Sequence, residues 1–102
     1  MAQPKTQREP KTIRIIKGHP SKVDKDPVEV WKNKDGNDRV EWSGPGDWLV
    51  VFNDASPFDR DYFTPADPET ADIVGEGGGR EYKYTVYVDG KRGADPIIIV
   101  RP

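Results

Sequence analysis

The sequence predicts an all-β domain, a two-sheet Greek-key sandwich of about seven short strands. Three observations carry that expectation. Glu81 to Val88 places Tyr82, Tyr84, Val86 and Val88 on one face at period two, with Lys83, Thr85 and Tyr87 on the other. β-Branched and aromatic side chains in such a run suit a pleated, half-buried surface better than a helix. Turn signals recur between the apolar runs, and glycine and proline each occur 10 times in 102 residues without a repeating period. That mixture belongs to many short strands joined by tight turns.

Taken in order, Met1 to Lys11 is rich in Pro, Gln, Lys and Glu and holds nothing that could anchor a core, so it is expected to be a disordered arm. A single domain is expected over residues 12–102. Thr12 to Lys17 is a first strand, with Ile13 and Ile15 on one face and Arg14 and Ile16 on the other; an edge position is expected for it. Gly18-His19-Pro20-Ser21 ends it. Val28 to Trp31 is a strand, and Asp35-Gly36-Asn37-Asp38 is a tight reversal leading into a further strand at Arg39 to Trp42. Val28 and Val30 alternate with Glu29 and Trp31, and Val40 and Trp42 with Arg39 and Glu41, which gives one buried and one wet face. Ser43 to Gly46 is a loop. Asp47 to Asn53 is the most continuously apolar segment and is expected to be a central strand covered on both faces.

Asp54 to Ala71 contains Pro57, Pro65, Pro68 and many acids, and reads as an irregular crossing with one helical turn at Pro68 to Ala71. A short strand at Asp72 to Val74 and a glycine turn at Gly75 to Gly79 follow. Asp89-Gly90 and Gly93 supply turn chemistry after the Tyr82 strand. Pro96 stands at the entrance of a last strand, Ile97 to Val100, where its missing N–H costs least.

This order of motifs resembles the cupredoxin-like β-sandwich. The resemblance runs from Pro27 to Val100. It rests on Val28-x-Val30, Val40-x-Trp42, the strand ending at Phe52, Tyr82-x-Tyr84-x-Val86 and the closing Asp95-Pro96-x-Ile98-x-Val100. It is nearest to bacterial cupredoxin-like domains without copper ligands. In copper-carrying relatives a cysteine stands where this chain has Val86, followed by His and usually Met; here Val88-Asp89-Gly90 follows. The chain has no cysteine, its one histidine is His19, and its one methionine is Met1. A blue-copper centre needs two imidazoles and a thiolate, so type-one copper electron transfer is excluded. Disulfides, thiolate nucleophiles and zinc-thiolate sites go with it. No cofactor is expected.

Net charge is −2, unevenly spread. Residues 1–25 carry seven bases against two acids, whereas residues 26–102 carry nine bases against sixteen acids. The bases are spaced out, which fits a solvated tail better than a nucleic-acid footprint. No stretch is long and apolar enough to span a bilayer, and Met1 to Lys11 lacks an apolar signal core. The expected compartment is the cytoplasm by default; periplasm or secretion stays open if a leader was removed.

Catalytic signals are weak. His19 has only Ser21 as a sequence neighbour, and Ser43 lacks the preceding glycine of a nucleophile elbow. Gly75 to Arg80 leads into a strand, whereas phosphate loops open onto helices. Asp54, Asp59, Asp61, Asp67, Glu69 and Asp72 crowd one connection and read as a solvated acidic loop rather than a calcium site. The aromatics say more. With the inner positions filled by Val28, Val30, Val40, Trp42, Trp48, Val50, Phe52, Tyr82, Tyr84, Val86 and Val88, the side chains of Trp31, Leu49, Val51 and Tyr87 point outward. The expected function is a non-catalytic binding or protein-interaction module. Its binding residues are Trp31 and Tyr87 with Phe58, Tyr62 and Phe63 on the Pro57 to Thr64 loop, three aromatics also expected to pin that loop, and its partner is a protein or carbohydrate. A small hydrolase or carbohydrate-active domain using the loop carboxylates is the alternative.

Overall fold

Each of the six stretches in which apolar residues alternate with polar ones, or run nearly unbroken, forms a strand. The structure is a computed structural model that describes residues 10–32, 38–70, 73–75 and 77–102. Its strands are β1 (Lys11–Ile16), β2 (Lys22–Val23), β3 (Val28–Trp31), β4 (Val40–Ser43), β5 (Trp48–Phe52), β6 (Tyr62–Phe63), β7 (Arg80–Val88), β8 (Lys91–Arg92) and β9 (Ile97–Arg101). There is no helix among the described residues.

The strands form two sheets. The smaller has the order β2-β1-β4, the larger β3-β9-β7-β5-β6, with β8 attached to β7. β1 runs parallel to β4 and β3 parallel to β9; the other pairings are antiparallel. β7 turns back through Asp89 (φ 52°) and Gly90 (φ 80°). Two left-handed residues in a two-residue loop match the right-handed twist of the flanking strands, as a type I′ turn requires. Val86 then faces a bulge. Gly93 N–H donates to Val86 O at 2.6 Å, and Val86 N–H donates to Ala94 O at 3.0 Å.

The inner faces interlock. All eleven residues expected inside are buried, and Ile13, Ile15, Phe58, Phe63, Ile73, Ile98 and Val100 join them. Trp42, on β4, is 1 % exposed and packs across the interface on Phe63 (4.9 Å between centroids), Tyr84 (5.5 Å) and Phe52 (6.2 Å). Trp42 Nε1 and Tyr84 Oη are buried without a well-formed hydrogen bond. Burial pushes the Tyr84 phenol up, and the Trp42 indole N–H opposes this only in part.

Several expectations are corrected. β1 is the middle strand of its sheet, not an edge, because it recruits β4 on one side and β2 on the other. β3 and β4 flank the expected reversal yet belong to different sheets; residues 35–37 lie outside the described residues. β5 buries one face only, through Trp48, Val50 and Phe52, while Leu49 and Val51 are half-buried. Pro68 to Thr70 makes no helical turn, since Pro68 O and the Thr70 N–H are taken by Trp42 and Val40 of β4. Ile73 and Val74 are not a strand; residues 71 and 72 lie outside the described residues. Of the expected arm, residues 1–9 lie outside them too, and Lys11 already pairs with Val40.

The edge of the larger sheet at β3 is closed by two side chains. Asp38, 3 % exposed, accepts the Trp31 N–H at 2.9 Å, and its own N–H donates to Trp31 O at 3.0 Å. Lys11 Nζ lies 3.6 Å from the Asp38 carboxylate and donates to Glu29 O at 2.9 Å. An edge whose polar groups are satisfied internally is a poor template for another chain.

Two outcomes follow from this packing. Trp42→Ala is expected to lower unfolding free energy by about 3–5 kcal/mol in urea titration, the usual cost of emptying an aromatic core site. Asp38→Ala is expected to cost about 1–3 kcal/mol, through the unsatisfied Trp31 N–H, and to raise light scattering on mild heating as the β3 edge opens.

Candidate functional site

The outer face of the larger sheet can be laid out rung by rung from its register. Leu49 stands opposite Tyr87, and Tyr87 opposite Arg92. Val51 stands between Thr85 and Tyr62 in the next rung. Side chains directly opposite on one face lie about 5 Å apart and diagonal ones about 7–8 Å apart. Tyr62, Val51, Leu49 and Tyr87 therefore form one contiguous patch. Tyr62 is 59 % exposed, and the other three are half-buried.

A polar network borders the patch. Thr85 points outward yet is buried, with Oγ1 2.6 Å from Asp95 Oδ1 and 2.9 Å from Asn53 Oδ1. The Thr85 hydroxyl holds the Asp95 carboxyl below its ordinary value, helped by Arg92. At the β7–β8 turn, Asp89 accepts the Asp47 N–H at 3.0 Å and the Lys17 ammonium at 2.9 Å. These two partners, the backbone first, hold its carboxyl low as well. Lys17 follows β1, so this contact ties the smaller sheet to the larger.

The structure divides the expected binding residues. Trp31 and Tyr87 share the outer face but not a patch. Trp31 lies beside Arg101 on the β3 edge, level with the residue preceding Arg80, and eight residues of β7 separate that level from Tyr87. At about 3.3 Å per residue they are roughly 25 Å apart along the strands. Phe58 and Phe63 are 3 % and 1 % exposed, too deep to touch a partner. They pin the long loop onto Phe52, with ring centroids 6.0 and 6.4 Å away. Tyr62 does not pin anything; it alternates with Phe63 on a two-residue strand and faces out. The missing signal was β6 itself, which is too short to show a period.

The acidic connection is partly consumed by structure. Asp67 pairs with Arg60, and Glu69 with Arg39 at 2.7 Å. Asp54, Asp59 and Asp61 are exposed, and Asp72 lies outside the described residues. Among the described residues no group of three His, Cys, Asp or Glu is placed to hold a metal ion. His19 is exposed, and the Ser21 hydroxyl, buried nearby, accepts the Gly18 N–H at 3.1 Å rather than facing an imidazole.

Because Asp89 and Asp95 are both held below their ordinary 3.8 in the folded chain, protonation favours unfolding. Their contribution is fully present above pH 3.8 and is lost as pH falls through the lower folded values. Chemical denaturation between about pH 6 and about pH 2 is expected to show stability falling below about pH 4, with a shallower fall in Asp89→Asn and Asp95→Asn.

No family model, curated protein or solved structure matches this chain.

Proposed function

We propose that this chain is a copper-free, cupredoxin-like Greek-key sandwich that acts as a non-catalytic protein-binding module. The contact surface is the Tyr62, Val51, Leu49 and Tyr87 patch. The single observation behind it is Tyr62, a large aromatic held outward at 59 % exposure beside three apolar neighbours. Tyrosine brings wide contact area with few rotors and a hydroxyl that stays satisfied at a wet rim. The surrounding polar groups, Arg92 and the Thr85–Asp95–Asn53 network, supply that rim.

The cupredoxin-like part of the proposal is supported by how the resembling motifs sit. Tyr82 to Val86 and Ile98 to Val100 lie on the adjacent strands β7 and β9. Val86, at the position of the copper relatives' cysteine, is fully buried among apolar side chains. A packed valine there leaves the strand its structural role without its metal chemistry.

Tyr62→Ser and Tyr87→Ser are expected to keep the wild-type melting temperature and to lose the proteins that immobilised wild-type chain retains. Trp31→Ser, at the far end of the same face, is expected to keep them. Retention unchanged in both tyrosine variants overturns the proposal.

A further inference from the structure

The opposite layer carries a different kind of surface. On the outer face of the smaller sheet, Thr12 stands opposite Glu41 and Arg14 opposite Ser43. Two cavities meet there and share Thr12, Ser43 and Gly44. One, about 380 Å³, is bounded by Arg14 and Pro45; the other, about 310 Å³, by Glu41, Pro65 and Pro68, with Trp48 behind it. Together they make one groove across the sheet. At its centre the backbone passes so close to β1 that only glycine fits, since a Cβ added to Gly44 would lie 2.7 Å from the Ile15 Cβ.

The chemistry of the groove is ordered from end to end. A guanidinium stands at one end with the exposed Lys22 beyond it, two hydroxyls lie in the middle, and a carboxylate stands at the other end. Among the described residues, the side chains of Arg14, Thr12, Ser43 and Glu41 have no hydrogen-bond or ion-pair partner. Elsewhere several charged groups are matched in pairs: Lys17 with Asp89, Arg39 with Glu69, Arg60 with Asp67, Arg101 with Glu29.

The backbone of the floor is already used. β1 and β4 bond to one another over Lys11–Arg14 and Val40–Ser43, the far edge of β4 is taken by Pro68 and Thr70, and β1 is closed on its other side by β2, Asp24 and Lys25. A peptide that adds a strand needs free main-chain groups at an edge, and the β4 edge beside this groove has its own taken by Pro68 and Thr70. What remains available are side chains that both donate and accept, between apolar proline walls. Sugar hydroxyls, which also donate and accept, complement the hydroxyls and the carboxylate, and a carboxylated sugar complements Arg14 by a bidentate charge-assisted pair.

We propose that the Thr12–Arg14–Glu41–Ser43 groove binds an oligosaccharide containing a uronic acid, with the carboxylate on Arg14 and a neutral ring against Glu41. A chain that alternates charged and neutral rings satisfies both ends at once, whereas one charged at every ring meets Glu41 with like charge. This site is on the opposite layer from the tyrosine patch and stands or falls independently of it.

The experiment is calorimetric titration of the full chain with a hyaluronan hexasaccharide, followed in parallel by tryptophan fluorescence, since Trp48 lines the groove. Saturable binding is expected, weakened about tenfold or more by Arg14→Gln, as loss of a charge-assisted pair predicts. Arg92→Gln and Tyr62→Ser are expected to bind as wild type. Arg14 is exposed on a strand, so the melting temperature of Arg14→Gln reports any loss of fold separately, and Ser43→Val offers a second, uncharged disruption. Absence of binding, equal binding of a neutral cellohexaose, or affinity indifferent to both Arg14→Gln and Ser43→Val overturns the proposal. Preferential binding of an acidic peptide that depends on Arg14 overturns it too, and reassigns the groove to a protein.

Discussion

The smaller sheet grips the larger through Trp42. This residue stands on a four-residue strand, yet its ring meets Phe63, Tyr84 and Phe52 from β6, β7 and β5. Aromatic pairs at these separations add to the burial of their area, and Phe58 extends the cluster beneath the long loop. The cluster leaves two buried polar atoms, Trp42 Nε1 and Tyr84 Oη, without good partners. A buried indole N–H in that state is tolerable because the area its ring removes from water contributes more than the lost bond costs.

From that contact the rest of the architecture follows. With β4 held against β5, β6 and β7, β1 can bury Ile13 and Ile15 only by lying beside β4, and it does so in parallel. The sheets are then joined at their margins by polar contacts rather than by apolar area. Lys11 reaches Asp38 and Glu29 at one margin, and Lys17 reaches Asp89 at another. These lysines belong to the basic first quarter of the chain and their partners to the acidic remainder. Part of the uneven charge distribution is thus used within the fold, holding the layers in place.

The same margins decide which surfaces remain free. Side chains and short bridges close the edges at β3 and β4, so the strands present little unpaired backbone there. The two outer faces then present side-chain chemistry. One face carries tyrosines and aliphatic groups around Tyr62 and Tyr87, and the other carries Arg14, Glu41 and hydroxyls. An aromatic patch with a polar rim suits a protein surface, and a groove of unpaired donors and acceptors suits a polyhydroxylated ligand.

The period-two pattern alone determined which side chains of the longer strands enter the core. Val28, Val30, Val40, Trp42, Trp48, Val50, Phe52, Tyr82, Tyr84, Val86 and Val88 could all be assigned inward from alternation, because successive residues of a strand must point to opposite faces. The Asp89-Gly90 turn was equally legible, since few residue pairs accept two left-handed conformations. Only the tertiary structure decided which strands are neighbours. The parallel pairings of β1 with β4 and β3 with β9 join segments far apart in sequence, and nothing local distinguishes a middle strand from an edge. For the same reason the candidate site was only half visible. Alternation put Trp31 and Tyr87 on one face, but their separation depends on register, and the exposure of Tyr62 depends on a two-residue strand held by β5. Side-chain period is a property of the local backbone, whereas adjacency is set by contacts between distant segments, and the latter had to be seen in three dimensions.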